Sequence, residues 1–163
     1  MLFRKGLIMS DVFKITLAQL NATVGDLSGN NQKVMEAWEI ARDERSDLIA
    51  FPEMFITGYN PQDLILKDAF QKAAISSIEQ IATACSQGPA IAIGGPFCDD
   101  DKLYNSYYIL AGGKIQAVIK KHHLPNEEVF DEVRLFSSGN VDGPFQIGKM
   151  LSLIHISEPT RPY

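Results

Sequence analysis

Along residues 12–120 the spacing of apolar side chains switches between two and three-to-four, and this alternation narrows the fold to a few layered architectures. VFKITLAQL (12–20) alternates apolar and polar residues, as a half-buried strand does. NATVGDLSGN follows, dense in turn formers. From Asn30 onward Val34, Trp38 and Ala41 share one helical face, with Lys33, Glu36 and Arg42 off it. DLIAF (47–51) is short and apolar, as a buried strand is. A second helix is predicted from Leu66 through Phe70, Ala74, Ile78 and Ile81 to Cys85, closed by Gly88 and Pro89. AIAIGGPF, a turn at DDDK, LYNSYYILA and IQAVIKK then give three strands, the last two paired across Gly112–Gly113. The order β-α-β-α-β-β-β predicts an α/β (α+β) chain, a mixed sheet carrying helices on one face.

With 163 residues, 45% of them hydrophobic, the chain has the length and apolar content of one ordinary domain. A net charge of -5 argues against nucleic acid as a partner, because phosphate contact favours a basic face. No apolar run approaches the roughly 20 residues that span a bilayer, so no membrane partner is expected. Residues 1–11 are expected to be a leader outside the fold, with Met9 as the start; GLIM is too short for a signal peptide. Cys85 and Cys98 form neither a CxxC pair nor a disulfide framework, which points to a reducing, cytoplasmic setting.

Three segments carry chemistry. Glu53, in FPEMFITGYNPQDL, directly follows a buried strand, at the carboxyl end where open α/β sheets place ligands; it also suits a loop cap that accepts backbone N–H bonds. Lys121, in KKHHLPNEEVFDE (120–132), likewise leaves a strand end, and most lysines in such places are solvated. Adjacent side chains of extended chain point to opposite faces, so His122 and His123 make a poor zinc pair; one is expected to be packed and hydrogen-bonded, the other exposed. Glu127, Glu128, Asp131 and Glu132 oppose an anion there. Gly94 and Gly95 match no phosphate-binding pattern, and close packing against a neighbour is the better explanation.

In order along the chain, FPEMFITGY, then GGPF with LYNSYYIL, then KKHHLPNxxVFDE closely resemble the nitrilase (carbon–nitrogen hydrolase) superfamily. ITLAQLNATVGDLSGN, TGYNPQDLIL and HLPNEEVFDEVRLF narrow the resemblance to the N-terminal glutaminase domains of glutamine-dependent NAD⁺ synthetases, over roughly residues 12–150. The resemblance implies a nitrilase-like α-β-β-α sandwich, here incomplete, with an exposed sheet edge. It also implies a Glu-Lys-Cys site with a second glutamate. The family's base falls on Glu53, its lysine on Lys121 and its accessory glutamate on Glu132. The implied substrate is L-glutamine. The ammonia would pass to a C-terminal synthetase domain that uses ATP and Mg²⁺ to amidate deamido-NAD⁺; the glutaminase domain itself takes no cofactor or metal, and family members form large homo-oligomers.

Two departures from the family pattern stand out. Where a pocket tyrosine usually follows L-P-N, this chain has Glu127, which would then border the substrate. The family's nucleophile lies in I-C-E-D-x-W after a segment like GPFQIGK, whereas here LSLIHISEPTRPY (151–163) follows. That tail resembles the translation of a sequencing adapter and is expected to lie outside the fold; a native strand with a proline-containing tail is the other reading. Cys85 sits on a helix's apolar stripe and Cys98 among acids that would raise its pKa, so neither fits the nucleophile. A free-standing amidase or carbamoyl hydrolase, and a non-catalytic binding subunit, are the competing expectations.

Overall fold

The computed structural model describes residues 12–126, 131–141, 145–147 and 150–152. Within them, β1 (Ile15–Leu17), α1 (Leu27–Asp43), β2 (Leu48–Ala50), α2 (Asp68–Ala84), β3 (Ala90–Asp99), β4 (Lys102–Ala111) and β5 (Lys114–Lys120) follow one another in the predicted order. A short helix α3 (Glu132–Leu135) and a hairpin of β6 (Phe145–Ile147) and β7 (Met150–Ser152) come after. The second strand of that hairpin crosses position 151, where the tail was expected to begin.

The main sheet has the order β1-β2-β3-β4-β5. Its first three strands are parallel, because each is separated from the next by a crossover helix; tight turns make the last two antiparallel. Asp100 and Asp101 turn β3 into β4, both at positive φ (46° and 60°), and Gly112 and Gly113 do the same before β5. On the helix side Val34, Trp38 and Ala41 of α1 and Ala74, Ile78 and Ile81 of α2 meet Ile49, Ile91, Ile93, Tyr108 and Leu110. The other face carries buried Leu48, Ala90, Ala92, Ile109 and Ile119. A sheet apolar on both faces is what the inner layer of a sandwich requires.

Element ends differ from the sequence reading for local reasons. α1 begins three residues early, because the Asp26 carboxylate accepts the Gly29 N–H at 2.9 Å and caps it. α2 begins after Leu66, which instead ends a 3₁₀ turn (Gln62–Leu66) with Ile65 as its buried residue. β1 is only three residues long: it is an edge strand matched to a three-residue neighbour, and the Gln19 N–H turns back onto the Leu17 carbonyl. Ile15 and Leu17 are consequently exposed.

NATVGDLSGN proves to be a tied loop. The fully buried Asn30 side chain accepts the Thr23 N–H (2.8 Å) and donates to the carbonyls of Thr23 (2.8 Å) and Ile56 (3.1 Å). Gly58, at φ 74°, lies against the Val24 backbone so closely that a Cβ would sit 2.6 Å from it. Loops 21–26 and 54–58 are therefore one packed unit. Replacing Asn30 with alanine strands three backbone groups, so Asn30→Ala should lower unfolding free energy by about 3 kcal/mol in urea titrations; a loss under about 1 kcal/mol would contradict this account of the loop.

Candidate active site

Three charged side chains from distant parts of the chain meet at the carboxyl ends of β2 and β5. Lys121 Nζ donates to Glu53 Oε1 at 2.8 Å and to Glu132 Oε1 at 3.1 Å, and lies 3.0 Å from Glu132 Oε2. The Lys121 side chain is 10% exposed, Glu132 2% and Glu53 45%, so the cluster is buried on one side and open at Glu53. Lys121 is thus no solvated lysine, and among the described residues Glu53 accepts no backbone N–H; its Oε1 also accepts a 2.5 Å bond from Asn105 Nδ2. Both bonds fall on Oε1; among the described residues Oε2 accepts none.

The backbone under this cluster is laced together. Gly94 permits the approach of the Glu53 loop, since a Cβ there would lie 2.2 Å from the Met54 nitrogen. This is the close packing expected of the glycine pair. Met54, at φ 49°, adopts a left-handed conformation that turns the chain directly after Glu53. Buried Met54 packs with Ile65, Leu135 and Phe136, so one apolar cluster holds the Glu53 loop against the helix bearing Glu132. The Lys121 N–H donates to the Asn105 carbonyl (2.8 Å), the Glu132 N–H to that of Pro125 (3.2 Å) and the Gly139 N–H to that of Lys121 (2.9 Å). Arg134 adds an outer tie, 2.5 Å from Asp63 and 2.6 Å from Asp131.

Both members of the Lys121–Glu132 pair have raised pKa values, which attraction alone would not produce. Burial works against the Lys121 charge, but hydrogen bonds and charges from Glu53 and Glu132 outweigh it. For Glu132 burial dominates over the opposing hydrogen bond and charge of Lys121, with the charge of Glu53 adding to the rise. The Tyr59 hydroxyl donates to Glu132 Oε1 at 3.2 Å, and burial followed by the two glutamate charges pushes its pKa well up, so it stays a donor. Tyr59 and Asn105 are members of the cluster that the sequence reading did not single out. The available signal was Asn105 itself, an amide in the middle of a strand rich in aromatic and apolar residues.

The remaining candidates lie elsewhere. Glu127 lies outside the described residues. His122 is half-buried with Nδ1 2.7 Å from the Gly139 carbonyl, and His123 is exposed. Their rings touch edge to face with centroids 4.7 Å apart, instead of pointing to opposite faces, because β5 has ended at Lys120 and strand alternation with it. Among the described residues no three His, Cys, Asp or Glu side chains gather as metal ligands. The Cys85 thiol is buried and pushed up to about 11, mainly by burial. Cys98 Sγ donates to Gln71 Oε1 (3.1 Å), and its pKa is raised by partial burial and then by Asp68 of α2; none of the three aspartates following Cys98 contributes.

A carboxyl with a raised folded-state pKa holds its proton more tightly when folded, so its contribution to stability falls as pH climbs above the ordinary 4.5. Glutamine at position 132 does not titrate. Glu132→Gln should therefore gain stability relative to the parent between about pH 4 and about pH 7 in paired urea titrations; a constant or falling difference would contradict burial as the dominant cause.

A model of the carbon–nitrogen hydrolase family matches residues 14–154. The glutamine-dependent NAD⁺ synthetase of Rhodobacter capsulatus is 46% identical over 150 residues, which is 92% of this chain and 27% of that protein. The structure of the glutamine-dependent NAD⁺ synthetase of Acinetobacter baumannii, solved with ADP, superposes with a TM-score of 0.76 at 30% identity over 85% of this chain and 26% of that one. An amidase from Nesterenkonia sp. AN1 shares the fold, with a TM-score of 0.72 at 20% identity over 86% of this chain and 55% of that one. The chain spans about a quarter of the length of the synthetases it matches.

Proposed function

The chain belongs to the carbon–nitrogen hydrolase family, and from the geometry of its charged cluster we propose that it carries the base and the oxyanion-binding lysine of a glutamine amidase. The observation that supports this most is Lys121 held between Glu53 and Glu132. An ammonium has three donors; among the described residues Lys121 meets only the two carboxylates, so a donor can be turned toward a developing oxyanion. Glu53 Oε2, without a hydrogen-bonding partner among the described residues, is the proton acceptor.

In the proposed reaction a cysteine thiol gives its proton to Glu53 as sulfur attacks the glutamine carboxamide carbon. The carbonyl oxygen becomes an oxyanion beside Lys121. Collapse breaks the C–N bond, Glu53 returns the proton to the leaving ammonia, and a thioester remains. Water, deprotonated by Glu53, then releases glutamate and the thiol. Glu53 and Glu132, the latter held by the Tyr59 hydroxyl, keep Lys121 charged and in place. Glu127, following Leu124-Pro125-Asn126, is proposed to border the glutamine.

The named relatives are glutamine-dependent NAD⁺ synthetases. The proposal accordingly extends to a longer protein whose synthetase domain uses the ammonia, ATP and Mg²⁺ to amidate deamido-NAD⁺, as a cytoplasmic homo-oligomer. The proposed domain begins at residue 12 and includes β7, which carries it past the expected bound of 150 to Ser152. Among the described residues no helix is long and apolar enough to cross a membrane.

Neither cysteine of this chain suits the nucleophile, since both thiols have raised pKa values and Cys98 is engaged with Gln71. The 163-residue chain should release no ammonia from L-glutamine above background in a coupled glutamate dehydrogenase assay. Release that disappears in Cys98→Ala would contradict the assignment.

A further inference from the structure

Two side chains of the YNSYY stretch of β4, Asn105 and Tyr107, lie on one face, and both grip the segment that carries Glu53. The Tyr107 hydroxyl donates to the Phe51 carbonyl at 2.5 Å, anchoring the backbone two residues before the glutamate. Asn105 does more. Its side-chain amide donates to Glu53 Oε1, and its own carbonyl accepts the Lys121 N–H. At 3% exposure Asn105 is fixed by its surroundings, and a buried amide in a strand needs such a partner.

We propose that Asn105 is a positioning residue: together with Lys121 it locks Glu53 Oε1, and so determines that Oε2 is the oxygen left open to take a proton. A glutamate side chain with 45% exposure would otherwise rotate about its last torsion and present either oxygen. The residue also sets the spacing of base and lysine, because one backbone unit holds Lys121 while its side chain holds Glu53. A neutral donor does this without adding charge to a cluster that already contains one cation and two carboxyls. Tyr107 fixes the loop backbone but reaches neither carboxylate oxygen. The chemical meaning of the open oxygen rests on the amidase reading; the lock itself does not.

The test uses the 163-residue chain and heteronuclear NMR at neutral pH. In the parent, one Asn105 side-chain amide proton should resonate downfield, and Glu53→Gln should move it upfield as the charged acceptor is lost. The Lys121 ammonium should give a ¹⁵N cross-peak protected from exchange, kept in Tyr107→Phe and lost in Asn105→Leu. An Asn105 amide resonance indifferent to Glu53→Gln would overturn the proposal. So would an unaltered Lys121 ammonium signal in a folded Asn105→Leu chain. Should Asn105→Leu not fold, the Glu53→Gln comparison decides alone. None of these signals depends on hydrolysis, so failure of the glutamine assay and failure of the lock are separate results.

Discussion

The Lys121 ammonium lies at the junction of every loop that matters here. Taking an ammonium out of water costs several kcal/mol, and it is offset only when carboxylates with good geometry surround it. Glu53 and Glu132 supply that, from positions 68 and 11 residues away in the chain. The Glu53 loop, the end of β5 and helix α3 therefore fold as one unit or leave a buried charge unpaired. The apolar cluster of Met54, Ile65, Leu135 and Phe136 makes the same connection without charge, so packing and electrostatics agree on one arrangement.

This arrangement explains several features that look unrelated in the sequence. Gly94 is small because Glu53 and Met54 pass directly over it. Asn30 and Gly58 fix the loop that presents Tyr59 to Glu132. Asn105 faces the same side of β4 as Tyr107 because both serve the segment at 51–53. The sheet is the platform, and its parallel half delivers Glu53 at a carboxyl end, as open α/β sheets deliver ligand-binding residues.

Periodicity alone predicts the order of elements and the helix-side core, because burial writes a repeat into each strand and helix. It misses the start of α1, where the Asp26 side chain, not the apolar stripe, sets the boundary. The site was legible only in part. Read residue by residue, Glu53 suits a loop cap and Lys121 a solvated lysine, since nothing local reports a partner 68 positions away. Long motifs in a fixed order carried that information instead. Tyr59 and Asn105 escaped because their roles depend on which face of a loop or strand they occupy.

The central claim is that Lys121 and its carboxylates form one coupled unit. A double-mutant cycle of Lys121→Met and Glu132→Gln, followed by urea unfolding at neutral pH, tests it most directly. Removing the lysine alone leaves Glu132 buried without its counter-charge, whereas the double variant leaves a neutral pair. A coupling of at least about 2 kcal/mol is predicted, with the double variant far more stable than the sum of the single losses implies. Losses that add within about 0.5 kcal/mol would contradict it.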